Sequence, residues 1–96
     1  MSSAEITIIK RDGKRKAFSV EKIKNAIRKA FLSVGSFATE DDIVNILSHV
    51  RISEGMHVEE IQNQVEIGLM AEQYFSVAKA YMLYRQRHME DREVRE

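Results

Sequence analysis

The sequence predicts a mainly helical α+β domain: an N-terminal two-stranded β-hairpin followed by four helices. Three observations carry that prediction. A β-branched run, Glu5-Ile6-Thr7-Ile8-Ile9-Lys10, meets the turn signal Asp12-Gly13 near the start. Four later stretches each hold one apolar stripe at helical spacing. Ninety-six residues with 44% apolar content are enough for one core and no more.

The elements follow in order. The β-branched run reads as the first strand, and residues 15–18 return as the second. A two-stranded hairpin is marginal alone, so it must lie on helices. Ser19 is a good N-cap for a helix over residues 20–34, with Val20, Ile23, Ile27, Ala30, Phe31 and Val34 on one face. Lys22, Lys24, Arg28 and Lys29 fall outside that stripe, and Gly35-Ser36 ends the helix. Thr39-Glu40-Asp41-Asp42 is similar to a capping box with Asp in the fourth place. Ile43, Ile46, Leu47 and Val50 make the second stripe, and residues 52–56 read as a connector.

A third helix begins near His57 or Val58, with Val58, Ile61, Val65 and Leu69 inward and Glu59-Glu60 in its first turn. Ala71-Glu72-Gln73 marks a joint. The last helix spans residues 74–87, with Tyr74, Val77, Ala78, Tyr81 and Tyr84 largely on one face. Residues 88–96 are polar apart from Met89 and Val94. The chain therefore reads as one domain over residues 1–96, with a core at 5–88 and a charged tail or linker at 89–96.

Composition excludes several functions. No apolar run approaches the ~20 residues of a membrane span. The first residues lack the charged and apolar regions of a secretory signal. Zero Cys removes disulfides, thiolate chemistry and Cys-ligated zinc, and fits a cytoplasmic setting. His49, His57 and His88 are scattered without metal-ligand spacing and read as surface residues. No serine sits in a nucleophile motif, and no phosphate-loop or dinucleotide glycine pattern occurs. The acid pairs Asp41/Asp42 and Glu59/Glu60 are explained by helix starts.

Charge is balanced overall but unevenly placed. Residues 1–35 hold nine Lys/Arg against three Asp/Glu, residues 36–75 one against eight, and residues 76–96 five against four. Lys10, Arg11, Lys14, Arg15 and Lys16 surround the hairpin turn, and Lys22 opens the following helix. Positive charge against a helix N-terminus suits a polyphosphate. A solvated basic hairpin, or one docking on nucleic acid or an acidic protein, has the same composition. The acidic middle and the absence of interleaved aromatic and basic residues disfavour nucleic acid.

Both ends of the chain together settle the resemblance. Ile8-x-Lys10-Arg11-Asp12-Gly13 and Phe18-Ser19-x-x-Lys22-Ile23 open a pattern. Val58-Glu59-Glu60-Ile61-Gln62-x-x-Val65-Glu66 and Val77-Ala78-Lys79-Ala80-Tyr81-x-Leu83-Tyr84-Arg85 complete it. This resembles the ATP-cone domain, the regulatory module at the N-terminus of ribonucleotide reductase catalytic subunits, over residues 5–88. The resemblance implies a hairpin capping a four-helix bundle, with ATP or dATP held between them, with or without Mg2+. It implies that Lys10, Arg11, Lys22 and Arg87 serve phosphate, that Ile8 lies beside the base, and that Val58 and Gln62 face the nucleotide. It implies partners in the rest of the catalytic subunit and other reductase subunits, and allosteric control through oligomer state. No reductase catalysis is expected within this stretch, which lacks the cysteines that chemistry needs. Lys16 stands where several relatives have Glu, Val58 where Thr is frequent, and Gln62 where acidic or imidazole side chains occur.

Overall fold

The hairpin forms where the β-branched run meets the turn. In the computed structural model, which describes residues 6–95 and side chains through Gln86, strand β1 (Thr7–Ile9) pairs antiparallel with β2 (Arg15–Ala17). The register is Thr7 opposite Ala17, Ile8 opposite Lys16 and Ile9 opposite Arg15. The turn closes when the Gly13 N–H donates to the Lys10 carbonyl at 2.9 Å, with Gly13 at a φ of 87° that favours glycine. Asp12 Oδ1 accepts from the Lys14 N–H at 3.0 Å.

Four helices follow: α1 (Val20–Ser33), α2 (Glu40–Leu47), α3 (Val58–Ala71) and α4 (Phe75–Arg95). The α1 stripe buries Ile27, Ala30 and Phe31. α2 begins at a full capping box. The Asp42 N–H donates to Thr39 Oγ1 at 3.1 Å, and the Thr39 N–H donates to Asp42 Oδ2 at 2.9 Å. α1 packs on α4, α4 on α3, and α3 on α2. Their stripes meet in one core of Ile27, Phe31, Ile43, Ile46, Val65, Leu69, Val77, Ala78 and Tyr81. Phe31 and Tyr74 meet edge to face, with ring centroids 5.1 Å apart. Gly68 lets α2 and α3 approach closely, because a Cβ there would lie 2.7 Å from the Ile46 carbonyl oxygen.

Two elements depart from the sequence expectation: α4 runs on to Arg95 instead of ending at residue 87, and the sheet gains a strand. The connector contains a two-residue strand, β3 (Met56–His57), which pairs parallel with β1, so the sheet has three strands in the order β2-β1-β3. Two residues carry no readable periodicity, and the pairing joins segments far apart in sequence. Glu54 ties the same corner. Its carboxylate accepts from the Thr7 N–H at 2.9 Å and the Thr7 hydroxyl at 2.6 Å, with Arg15 at 3.4 Å. Because β3 runs directly into α3, this pairing sets the start of α3 beside the hairpin.

Of the histidines expected at the surface, His49 and His57 are exposed, and the side chain of His88 lies outside the described residues. Where a charged tail was expected at 89–96, the backbone continues α4 through Arg95, and the side chains there lie outside the described residues.

Candidate functional site

The hairpin does not sit flush on the helices. Between the sheet and the faces of α1, α3 and α4 lies a pocket of about 600 Å³, well within the size range of small-ligand sites. Each wall follows from local structure. β1 turns Ile8 inward, where it is buried, and delivers Lys10, Arg11 and Asp12 at the turn. β2 contributes Lys16 and Ala17, and the link to α1 adds Phe18 and Ser19. α1 presents Lys22, Asn25 and Lys29, spaced three and four apart on one face. α3 presents Val58, Ile61 and Gln62, and α4 presents Tyr81, Tyr84 and Arg85.

Of the seven residues proposed from sequence, Ile8, Lys10, Arg11, Lys22, Val58 and Gln62 all line this pocket. The seventh, Arg87, has its side chain outside the described residues. The sequence reading did not single out Lys29, Tyr84 or Arg85 as site residues. Lys22 and Lys29 are seven apart, a spacing that separates them from Lys24 and Arg28. Those two pair instead with Glu21 at 3.8 Å and Glu40 at 2.9 Å. Lys29 Nζ lies 5.8 Å from the centroid of the Tyr84 ring.

The electrostatics are strongly one-sided. Among the described residues, Lys10, Arg11, Lys16, Lys22, Lys29 and Arg85 line the pocket against a single lining carboxylate, Asp12. The Lys14 N–H bond, with Lys10 and Lys14 close by, holds that carboxyl below its ordinary value, so it stays ionised at neutral pH. Two arginines are held from α3. Arg11 pairs with Glu59 at 2.6 Å, and Arg85 with Glu66 and Asn63. Burial pushes the Tyr81 hydroxyl up to about 12, so it presents a neutral phenol.

One polar atom is orphaned. Gln62 Oε1 is buried against the pocket with no hydrogen-bond partner, alone in this among the described residues. A buried acceptor without a donor is costly unless something supplies one. The pocket thus offers an unpaired acceptor at Gln62, aromatic and aliphatic walls, and cations of the charge that suits an anionic tail. Among the described residues, no group of three or more His, Asp or Glu is placed to hold a metal ion.

A small α+β domain with a basic pocket between sheet and helices has the charge and the space to receive an anionic ligand. Comparison with known proteins gives the family. The chain belongs to the ATP-cone domain family, whose model, described as "ATP cone domain", matches residues 6–90. In ribonucleotide reductases, domains of this family are generally allosteric nucleotide-binding regulators, and they generally bind ATP or dATP as effectors.

Relatives that match most of the chain include three reductases. The "Ribonucleoside-diphosphate reductase subunit alpha" of Chlamydia pneumoniae is 37% identical over 88% of this chain and 9% of the relative. The "Vitamin B12-dependent ribonucleoside-diphosphate reductase" of Thermoplasma acidophilum is 36% identical over 93% of this chain and 13% of the relative. The "Anaerobic ribonucleoside-triphosphate reductase" of Haemophilus influenzae is 38% identical over 81% of this chain and 12% of the relative. The chain thus spans about a tenth of the length of the relatives it matches.

Proposed function

We propose that this chain is the effector-sensing module of a ribonucleotide reductase, binding ATP and dATP in the pocket beneath the hairpin. The observation that carries the reading is the orphaned Gln62 acceptor inside a cation-lined cavity of nucleotide size. Lys10, Arg11 and Lys22 contact the phosphates, with Arg87 joining them from the last helix. Each charge-assisted bond contributes about 1.5–3 kcal/mol. Ile8 packs beside the base, and Val58 and Gln62 face the nucleoside. Mg2+ arrives on the phosphates, keeping water and phosphate oxygens as its ligands.

Regulation requires a difference between effectors, not tight binding alone. ATP and dATP differ by one hydroxyl, and Val58 and Gln62 are the residues that meet that difference. The two nucleotides then seat differently, alter the outer helix surface and shift subunit association with the rest of the reductase. Catalysis belongs to that larger assembly, which works in the cytoplasm. No helix among the described residues is long and apolar enough to cross a membrane. Isothermal titration with ATP and dATP tests the binding step. Saturable heat for both is expected, and a flat response to each contradicts the reading.

A further inference from the structure

Arg11 and Arg85 stand between the main pocket and a shallower outer recess, to which Glu59, Glu66, Met82 and Gln86 also contribute. Each arginine is gripped from that recess by a glutamate of α3. Glu59 and Glu66 are seven residues apart, with Asn63 between them, so they form one stripe along the helix. The two grips differ in exposure. Arg85 and Glu66 are closed off, at 19% and 14% exposed, and Asn63 adds a second contact to Arg85. Arg11 and Glu59 are open to water, at 41% and 46% exposed, and joined at 2.6 Å. An exposed pair of this kind is weakly held and exchanges partners readily.

We propose that Glu59 is an internal competitor for the phosphate chain. Its carboxylate holds Arg11 in the free protein. A bound phosphate takes over the guanidinium and leaves the Glu59 charge at the pocket rim. That charge repels the ligand in proportion to the ligand's own charge, so it weakens triphosphate binding more than monophosphate binding. Glu59 thereby sets both affinity and preference for phosphate number. The inference rests on the nucleotide reading above.

Glu60 provides an internal control. It is also exposed in the first turn of α3, but it lies about 100° around the helix from Glu59. The full chain and its Glu59→Gln and Glu60→Gln variants are titrated with ATP and with AMP at low ionic strength, and their unfolding midpoints are recorded. Glu59→Gln is expected to tighten ATP about three- to tenfold and AMP less than about twofold, while Glu60→Gln moves neither. Unchanged or weaker ATP binding by Glu59→Gln overturns the inference. So does an equal gain for AMP, or a matching gain from Glu60→Gln. Failure of the unaltered chain to bind either nucleotide is a different result: it removes the nucleotide reading itself, and this inference with it.

Discussion

Lys10 shows how one position joins fold and site. Its backbone N–H donates to the Lys14 carbonyl and its carbonyl accepts from Gly13, so the hairpin turn itself fixes where the side chain leaves. That side chain lines the pocket. Lys10→Ala keeps the backbone bonds and deletes one cation, so nucleotide affinity is expected to fall at least about tenfold with little change in melting temperature. Titration calorimetry reads the first and thermal unfolding the second. An unchanged Kd means that Lys10 makes no phosphate contact. Gly68 is a residue-scale feature of a different kind. Alanine there gains about 1 kcal/mol of helix propensity, but overpacking costs about 1–3 kcal/mol. The added Cβ meets the Ile46 backbone carbonyl, which has no rotamer to move aside. The clash is therefore expected to win, and Gly68→Ala to lower the melting temperature by several degrees. An equal or higher midpoint contradicts that account of the α2–α3 contact.

Among the elements, two carboxylates act as ties. Asp42 closes the α2 cap on Thr39 and accepts from the Tyr74 hydroxyl at 2.8 Å, just before α4. Glu54 joins the segment before β3 to Thr7 of β1. The Thr39 N–H bond, with help from Tyr74, holds Asp42 below its ordinary value of 3.8, and the Thr7 bonds hold Glu54 below 4.5. In both, the folded pKa lies under the unfolded one. Their stabilisation is therefore complete above the unfolded value and is lost as pH falls through the folded one. Melting temperature is expected to drop between about pH 5 and pH 3, and the double variant Asp42→Asn, Glu54→Gln to show a shallower drop. Equal slopes for variant and parent contradict these ties.

The helices were legible because each stripe repeats over two or more turns, and the Thr39 cap because its residue types and spacing are local. The run of α4 on to Arg95 was not, because the residues past 87 are almost all polar and carry no stripe. β3 was not legible, since a two-residue strand has no pattern and its partner lies nearly fifty residues away. Glu54 was hidden for the same reason. Six of the proposed site residues meet at one cavity, yet Lys29 and Arg85 were passed over as site residues. Their roles depend on which side of a helix faces the hairpin, which is a property of packing rather than of local sequence.

At the scale of the whole molecule, the most exposed large apolar side chain among the described residues, Phe37, is not among those that line the pocket. Phe37 is 80% exposed, beyond the end of α1 and before α2, while the cations gather under the hairpin. Under the proposed function, a ligand in this pocket touches β1, β2, α1, α3 and α4 together, so by mass action it is expected to stabilise the fold as a unit. The account's central claim is the location of that ligand. Two-dimensional amide NMR of the chain titrated with ATP reads it directly. Shift changes are expected to concentrate at residues 8–22 and at Val58 to Gln62, with the Leu32 to Thr39 segment unmoved. Saturable changes centred on Leu32 to Thr39 instead, or no changes under the hairpin at saturating ATP, contradict it.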